Sequence, residues 1–462
     1  MTPDPTTRRR FLTVTGAGTI VGLAGCAGDS DSADPENSTE NATETELEDE
    51  GNESDPGNET NSSDSESDDA TADETDDELT LETDYLSREE YAQPGESFDD
   101  FEDLSAWNVT SGSMDADNDV VFDGSQSVKL SAEGSQNITI ERTLEDEDED
   151  VDLTDLDFSF ALRTTTPGNI AVYLRFVDVY GSDRIYQLRQ ISYRTPDVGW
   201  FRSNPGVFED SEVPTEMDML ERVELTVLNT GPEAEVWVDD LRTHEKPDTG
   251  YVVLCWDDGR QVFYDTASPL HDEYGFNAVQ GPIPGNVRGD FMSVEMLKER
   301  QEAGDEIVMH GTHDPIHEIE DEQELEGRLR RDKQWFIDNG LQGADHIVYP
   351  HNSFDKTALE YINKYHYSGG FNQSGDVNTT GVYGYDPLVL PRTIAHDLEI
   401  SKRCVDMAAA HNNCTVLNFH AFDEDNTMSE SDYEELLAHI DSKDDLEVVT
   451  LSELWELRTG GH

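Results

Sequence analysis

A chain of 462 residues is longer than one hydrophobic core usually organises, so two folded domains with non-globular segments are expected. With 104 acidic against 30 basic side chains the formal net charge is −74, which excludes charge-driven binding to nucleic acid or to anionic lipid headgroups. Carboxylate in such excess repels itself at low salt and stays compact only among abundant counterions, a halophilic signature.

The chain opens with an address. Thr7-Arg8-Arg9-Arg10-Phe11-Leu12 is a twin-arginine pattern, and the apolar, glycine-rich run over 13–25 is too short to span a bilayer. It ends in Leu23-Ala24-Gly25-Cys26, which resembles the lipobox of exported lipoproteins. Processing there would leave a lipid-modified Cys26 as the mature N-terminus; the alternative is a plain cleaved signal with an incidental cysteine. Residues 1–26 therefore read as an export signal with a lipobox. The protein reads as exported to the cell surface and held on the outer face of the cytoplasmic membrane by its lipid alone.

Residues 27–94 are mostly Asp, Glu, Ser, Thr, Asn and Gly, a composition that cannot offset the entropy of ordering. They predict a disordered acidic tether, and sequons such as Asn37-Ser38-Thr39 suit an exposed stalk. Beyond Cys26 stand Cys255, Cys404 and Cys414, too few for a disulfide framework. A Cys404–Cys414 bridge is an option, Cys255 reads as a small core residue, and no CxxC pair supports a structural zinc.

Residues 95–245 carry short alternating runs between turn residues, for example Ile138-Thr139-Ile140, 170–176 and 223–227. Period-two spacing predicts an antiparallel β-sandwich. Its opening FDDFE (98–102) and closing VWVDDL (236–241) resemble the ends of jelly-roll carbohydrate-binding modules. That resemblance implies a possible structural calcium held by Asp239 or Asp240 with Glu102; acidic strand ends in an acidic protein explain the same residues. Trp107, Tyr180 and Trp200 are aromatics that could stack on sugar rings or fill the core.

Past a charged joint at 244–250 the period changes. Over 250–462, apolar strands at 251–256, 307–309, 347–349, 388–390, 416–419 and 448–450 alternate with helical stretches near 293–303, 318–339, 355–365, 397–411 and 431–441. Repeated strand–helix units predict parallel strands, as an incomplete or distorted (β/α) barrel or an open sheet, with chemistry at the strands' carboxyl ends. Titratable groups stand at those ends: Asp257-Asp258-Gly259, His310 to Asp314, His351, Arg392 and His420.

Here a family resemblance becomes specific. CWDDG (255–259), GDEIVMHGTHDP (304–315), VYPHNSFDKTALEYI (348–362), VLPRT (389–393) and VLNFHAF (416–422) resemble, in order, motifs of the polysaccharide deacetylase (NodB homology) family. The resemblance implies Asp257 as general base, Asp258 and His310 as metal ligands, and His420 as general acid. It also implies a divalent metal, zinc with cobalt or nickel as options, and an acetylated polysaccharide or cell-surface glycan as partner. The chemistry stands by itself. Amide hydrolysis needs a Lewis acid to acidify water and polarise the carbonyl, a carboxylate to take a proton and an imidazolium to give one.

Two departures matter. The family's second histidine falls at Asp314, with His313 one place early and His317 three later; spacing cannot choose the third ligand among them. Where many members carry an arginine that orients the catalytic aspartate, this chain has Val348; Arg392 supplies that charge from a neighbouring strand or serves as a structural ion-pair partner. His351 also replaces the third motif's tyrosine. The leading expectation is removal of N-acetyl, or alternatively O-acetyl, groups from a polysaccharide. The other reading is a non-catalytic glycan-binding protein with a degenerate barrel.

Overall fold

The computed structural model describes residues 79–84, 95–144, 152–189, 191, 197–311, 315–370, 372–424 and 426–460. The export signal, Cys26 and most of the tether lie outside them, as do His313 and Asp314. No helix among the described residues is long and apolar enough to cross a membrane.

The alternating stretch folds as twelve strands: β1 (Glu96–Asp99), β2 (Trp107–Ser111), β3 (Ser113–Asp117), β4 (Ser127–Glu133), β5 (Ile138–Thr143), β6 (Leu156–Thr164), β7 (Ile170–Asp178), β8 (Asp183–Leu188), β9 (Phe201–Ser203), β10 (Val207–Asp210), β11 (Leu220–Asn229) and β12 (Glu233–Glu245). They form two six-stranded sheets, one ordered β3-β4-β12-β6-β9 with β1 added to β12, the other β10-β8-β7-β11-β5-β2. Burial alternates along β7 and β11, as a strand with one dry face requires. The dry faces meet: Phe158 of β6 lies 4.4 Å from Phe176 of β7 and 5.2 Å from Tyr186 of β8, centroid to centroid. Trp107 belongs to this core and not to a sugar-binding surface. It is 4 % exposed, stacked on Phe101, and donates its indole N–H to Asp99 at 2.8 Å.

The C-terminal part supplies β13 (Gly250–Asp258), β14 (Val279–Pro282), β15 (Glu306–Ile307), β16 (Met309–His310), β17 (His346–Val348), β18 (Ser368–Gly369), β19 (Asn372–Ser374), β20 (Pro391–Ile394), β21 (Cys414–Phe419) and β22 (Leu446–Val448). All pairings among them are parallel. They fall into a seven-stranded sheet, β15-β14-β13-β21-β20-β19 with β22 on β13, and a three-stranded sheet, β16-β17-β18. The run expected as one strand at 307–309 is broken at Val308, whose N–H bonds Gln280 O at 2.8 Å. The strand expected at 388–390 is instead a turn, with Leu388 N–H on the Asp386 carboxylate (3.0 Å) and Val389 N–H on Asp386 O (2.9 Å). The strand starts at Pro391, the one place in it where a missing N–H costs no ladder bond. Cys404 and Cys414 carry free, buried thiols, so the optional bridge is not formed.

Helices α1 (Ser268–Tyr274), α2 (Val294–Ala303), α3 (Glu322–Asn339), α4 (Lys356–Ile362), α5 (Leu398–His411), α6 (Glu430–Asp441) and α7 (Leu451–Thr459) cover the sheets. Local signals explain them. In α3, Asp321 caps the first turn, Leu325, Leu329 and Phe336 recur on one buried face, and Gly340 ends it with φ 67°. Helix α7 docks through a carboxylate on another element: Glu306 accepts from Leu451 N–H (2.7 Å), Ser452 N–H (3.2 Å) and Ser452 Oγ (2.6 Å). Burial pushes Glu306 up to about 7 from 4.5. Stability from a carboxyl raised in this way is complete below the unfolded value and is lost as pH climbs through about 7. Glu306→Gln should therefore melt above the native protein at pH 8.5 and gain nothing at pH 5; equal melting shifts at both pH values would refute this.

The two parts are joined by buried polar contacts. Asn204 donates to Phe158 O (2.7 Å) and accepts from Gly384 N–H (2.9 Å) and Thr380 Oγ1 (2.7 Å), while Val207 N–H bonds Asn413 Oδ1 (3.0 Å). A further contact comes from residues 79–84, inside the expected tether. Leu79 is buried, Thr83 bonds the carbonyls of Lys364 and Asn363 (both 2.9 Å), and Asp84 accepts from Tyr367 OH (2.6 Å).

Candidate active site

Alternation along β13 places the site's central carboxylate. Tyr251, Val253 and Cys255 face the core between the parallel strands, whereas Val252, Leu254 and Trp256 face the helices. Asp257 therefore follows Cys255 inward and is 2 % exposed. The same alternation would send Asp258 to the opposite face. It does not, because Asp258 and Gly259 both take left-handed backbone (φ 69°) and turn the chain at the strand end. A Cβ on Gly259 would stand 2.7 Å from Pro282 Cβ, so only glycine closes this turn. Both carboxylates thus face one imidazole: His310 Nε2 lies 3.9 Å from Asp257 Oδ2 and 3.9 Å from Asp258 Oδ1.

His310 is oriented by the backbone. Its Nδ1 lies 2.9 Å from Gly311 O, which can only accept, so Nδ1 carries the proton and Nε2 offers a lone pair. Gly281 of β14 makes room for it. A Cβ at 281 would stand 2.8 Å from Val348 Cγ2 and 3.4 Å from His310 Cβ. Gly281→Ala is expected to shift His310 and cut turnover about 100-fold, the cost of a misplacement near 1 Å, and to lower stability by about 1–3 kcal/mol as Val348 is displaced. Steady-state kinetics of the variant at high salt check this.

Arg392 reaches Asp257 from β20, past the intervening β21. Its Nη1 and Nη2 donate to the two carboxylate oxygens at 2.8 and 2.7 Å, and its side chain is 0 % exposed. Burial alone would push the Asp257 carboxyl up. The Arg392 guanidinium, with smaller help from His420 and His310, holds it well below the usual carboxylate range. Burial and the neighbouring Asp257 carboxylate push the Cys255 thiol well up, which keeps it protonated and excludes it as a nucleophile.

His420 completes the group from the end of β21. Its Nε2 is 3.6 Å from Asp257 Oδ2, and its side chain, 35 % exposed, reaches solvent. The residues before the two functional groups lock together behind them. Trp256 stacks on Phe419 at 5.2 Å and donates its indole N–H to Tyr433 OH at 3.2 Å. Arg260 spans the mouth, 3.4 Å from Asp258 Oδ2 and 3.3 Å from Glu424 Oε1. Beside it opens a cleft of about 460 Å³ lined by Gln261, Asp265, Asp290 and Phe422.

Asp257, Asp258, His310, Arg392 and His420 thus come together, whereas His313 and Asp314 lie outside the described residues. His317 is engaged elsewhere, with Nδ1 against Ser353 Oγ. His351 is exposed, with φ 57°. Arg392 and His310 lie within their strands, not after them, and sequence reasoning missed Gly281, Arg260 and Tyr433. The only signal available for Gly281 was a glycine inside a short apolar run. In the sandwich, the Asp240 carboxylate is taken by Arg202 and Arg242. Glu102 and Asp239 instead grip one loop: Glu102 accepts from Ser125 N–H (2.7 Å), Asp239 from Phe122 N–H (3.0 Å).

Among the described residues no three His, Cys, Asp or Glu side chains group as a metal site; Asp258 and His310 supply two donors spaced for one divalent cation. A carboxylate oxygen and a bare imidazole nitrogen 3.9 Å apart can share one ion, since bonds of about 2.0–2.2 Å span that distance.

Residues 244–370 match the family model described as polysaccharide deacetylase, a span that includes Asp257, Asp258 and His310. No curated protein matches the chain. Among solved structures, the chain is similar to the Xyl-CE4 domain of a multidomain xylanase from the hindgut metagenome of Trinervitermes trinervoides (17 % identity, 46 % of this chain and 91 % of that one, TM-score 0.32). It is also similar to the peptidoglycan deacetylase PdaC from Bacillus subtilis (15 %, 46 % and 94 %, 0.32). A family 11 carbohydrate-binding module of a cellulosomal cellulase from Clostridium thermocellum is similar over 32 % of this chain and 94 % of that one (16 %, 0.25). The chain is a multidomain, β-rich protein in which residues 244–370 match the polysaccharide deacetylase model.

Proposed function

We propose that this protein is an extracellular, metal-dependent deacetylase that removes N-acetyl groups from an amino-sugar polysaccharide. One observation carries the reading: Asp257 Oδ2 lies 3.6 Å from His420 Nε2 and 3.9 Å from His310 Nε2, and that same Nε2 lies 3.9 Å from Asp258 Oδ1. Asp258 Oδ1 and His310 Nε2 would hold the cation, zinc, cobalt or nickel, with His313 or Asp314 as third ligand. When bound, the ion acidifies a water and polarises the acetyl carbonyl. Asp257 Oδ2, 3.6 Å from His420 Nε2, is placed to take a proton from an attacking water. Arg392 makes this carboxylate a weak base, so the proton is not retained there. His420 Nε2, open to solvent, donates a proton to the leaving nitrogen.

The same reading takes the two parallel sheets as arcs of one incomplete, distorted barrel, supported by Val308, which links β15 to β16 and bonds Gln280 O of β14. It takes the sandwich as jelly-roll-like; for a structural calcium there, Glu102 and Asp239 remain the donors on offer. The twin-arginine pattern, Cys26 and the −74 charge support an exported, lipid-anchored protein working at high salt. Acetate release from N-acetyl and O-acetyl oligosaccharides, compared at high salt, is the experiment. Release from the amide series is expected; release from esters alone would replace the amide reading.

A further inference from the structure

Asn-x-Ser/Thr is the acceptor sequence for N-linked glycan, and the folded part of the chain carries it as well as the tether. Sequons with described side chains start at Asn108, Asn137, Asn378 and Asn413. A sequon is usable only where its amide can leave its present partners and reach an enzyme. Three of the four fail on that ground. Asn413 is fully buried; its Nδ2 donates to Asp157 Oδ2 at 3.0 Å and its Oδ1 accepts from Val207 N–H at 3.0 Å. Asn378 is 3 % exposed, with Nδ2 3.4 Å from Arg392 O. Asn137 Oδ1 accepts from Asn229 N–H at 3.2 Å, and Ile138, inside that sequon, belongs to the sandwich core.

Asn108-Val109-Thr110 differs on each count. It lies in β2, the outermost strand of its sheet, which pairs only with β5. All three residues are exposed, and no described residue bonds the Asn108 amide. The register shifts between Val109 and Ser111, an irregularity that leaves Thr110 out of the ladder. Lifting the acceptor off the sheet therefore breaks few bonds. The Thr110 hydroxyl, the sequon's other essential group, bonds Thr139 O at 3.2 Å at the surface.

We propose that Asn108 is an N-glycosylation site whose glycan covers the open edge of β2. An unpaired edge is a template for another chain's strand, and a bulky hydrophilic chain beside it blocks that pairing. Val109, 42 % exposed on the same strand, is covered with it. High salt makes such a cover useful. At about 1 M the screening length is about 3 Å, so the −74 charge no longer keeps two copies apart. In the transfer, the bond from Asn108 Nδ2 to the sugar C1 forms as the C1–O bond to the phosphate of a lipid-linked glycosyl phosphate breaks. The amide loses one proton, and the phosphate leaves with the electron pair. The proposal rests on the exported reading: a twin-arginine chain arrives folded at the membrane's outer face, so only a sequon exposed in the fold can be modified.

The test is glycopeptide mass spectrometry of the full chain made in its native cells, with its location fixed in parallel by protease treatment of intact cells. Glycan mass is expected on the Asn108 peptide and on none of those holding Asn137, Asn378 or Asn413. Thr110→Ala should lose that mass although the acceptor stays, and Thr110→Ser should keep it, which a misfolded strand would not allow. Asn108→Gln should self-associate at high salt where native protein stays monomeric, as read by light scattering. A bare Asn108 on protein at the cell surface overturns the site alone; a bare Asn108 on protein retained inside overturns the site and the exported reading together. Glycan on Asn378 or Asn413 overturns the accessibility argument, and a monomeric Asn108→Gln overturns the edge role.

Discussion

Asp258→Asn is expected to lower acetate release at least about 1000-fold while leaving the melting temperature nearly unchanged. The size follows from the bond removed. A divalent ion at a developing oxyanion supplies several kcal/mol, each 1.36 kcal/mol is tenfold in rate, and a neutral amide is a poor ligand for it. The stability follows from local structure. Asn tolerates the left-handed backbone that Asp258 adopts at φ 69° as well as Asp does, the two side chains have the same shape, and this one is 23 % exposed. Acetate assays and thermal melts on one preparation separate the two effects. Retained activity would remove Asp258 from the metal site; a collapsed melt would make it structural.

Arg392→Leu is expected to fail differently, losing both fold and function. It leaves Asp257 buried with no cation beside it, and removing one partner of a buried pair costs about 3–5 kcal/mol. The penalty has a sign in pH. In the native protein Asp257 is held well below the usual carboxylate range, so the stability from its pair is present above that range and lost only as pH falls beneath it. The gap between native and variant melts should therefore be widest at neutral pH and shrink in acid. Arg392→Lys keeps the charge but cannot donate to both oxygens, now bonded at 2.8 and 2.7 Å. It should fold yet lose about 10–100-fold in kcat with KM unchanged, as expected when an orienting partner of a functional group is lost. Were Arg392 only a structural partner, the lysine variant would keep its kcat.

The strands that carry Asp257 and His420 were legible because long apolar runs ending in polar residues mark buried parallel strands. What the runs could not convey was direction at the strand end. Adjacent aspartates on a strand point apart, and their convergence depends on left-handed backbone at Asp258, which no period in the sequence encodes. Arg392 was legible as a charge near the site but misplaced along its strand, because Leu388 to Leu390 is as apolar as a strand while Asp386 bends it into a turn. The short β14 was missed: four residues with a glycine and a proline give no countable alternation, yet Gly281 decides where His310 sits. Leu79 to Asp84 was hidden by the acidic composition around it, although one buried leucine and three side-chain and backbone bonds suffice to dock it. The third metal ligand stayed open in the sequence because positions 310, 313, 314 and 317 share one helical face, and the described residues end at Gly311 and resume at Pro315.

The central claim is that Asp258 and His310 hold a divalent cation without which the amide bond is not cut. Its most direct test is acetate release from an N-acetylated hexosamine oligomer by protein purified at high salt, before chelation, after it, and after adding back zinc, cobalt or nickel. Loss on chelation with recovery on one of these ions is the predicted result. Undiminished release from fully chelated protein would contradict it.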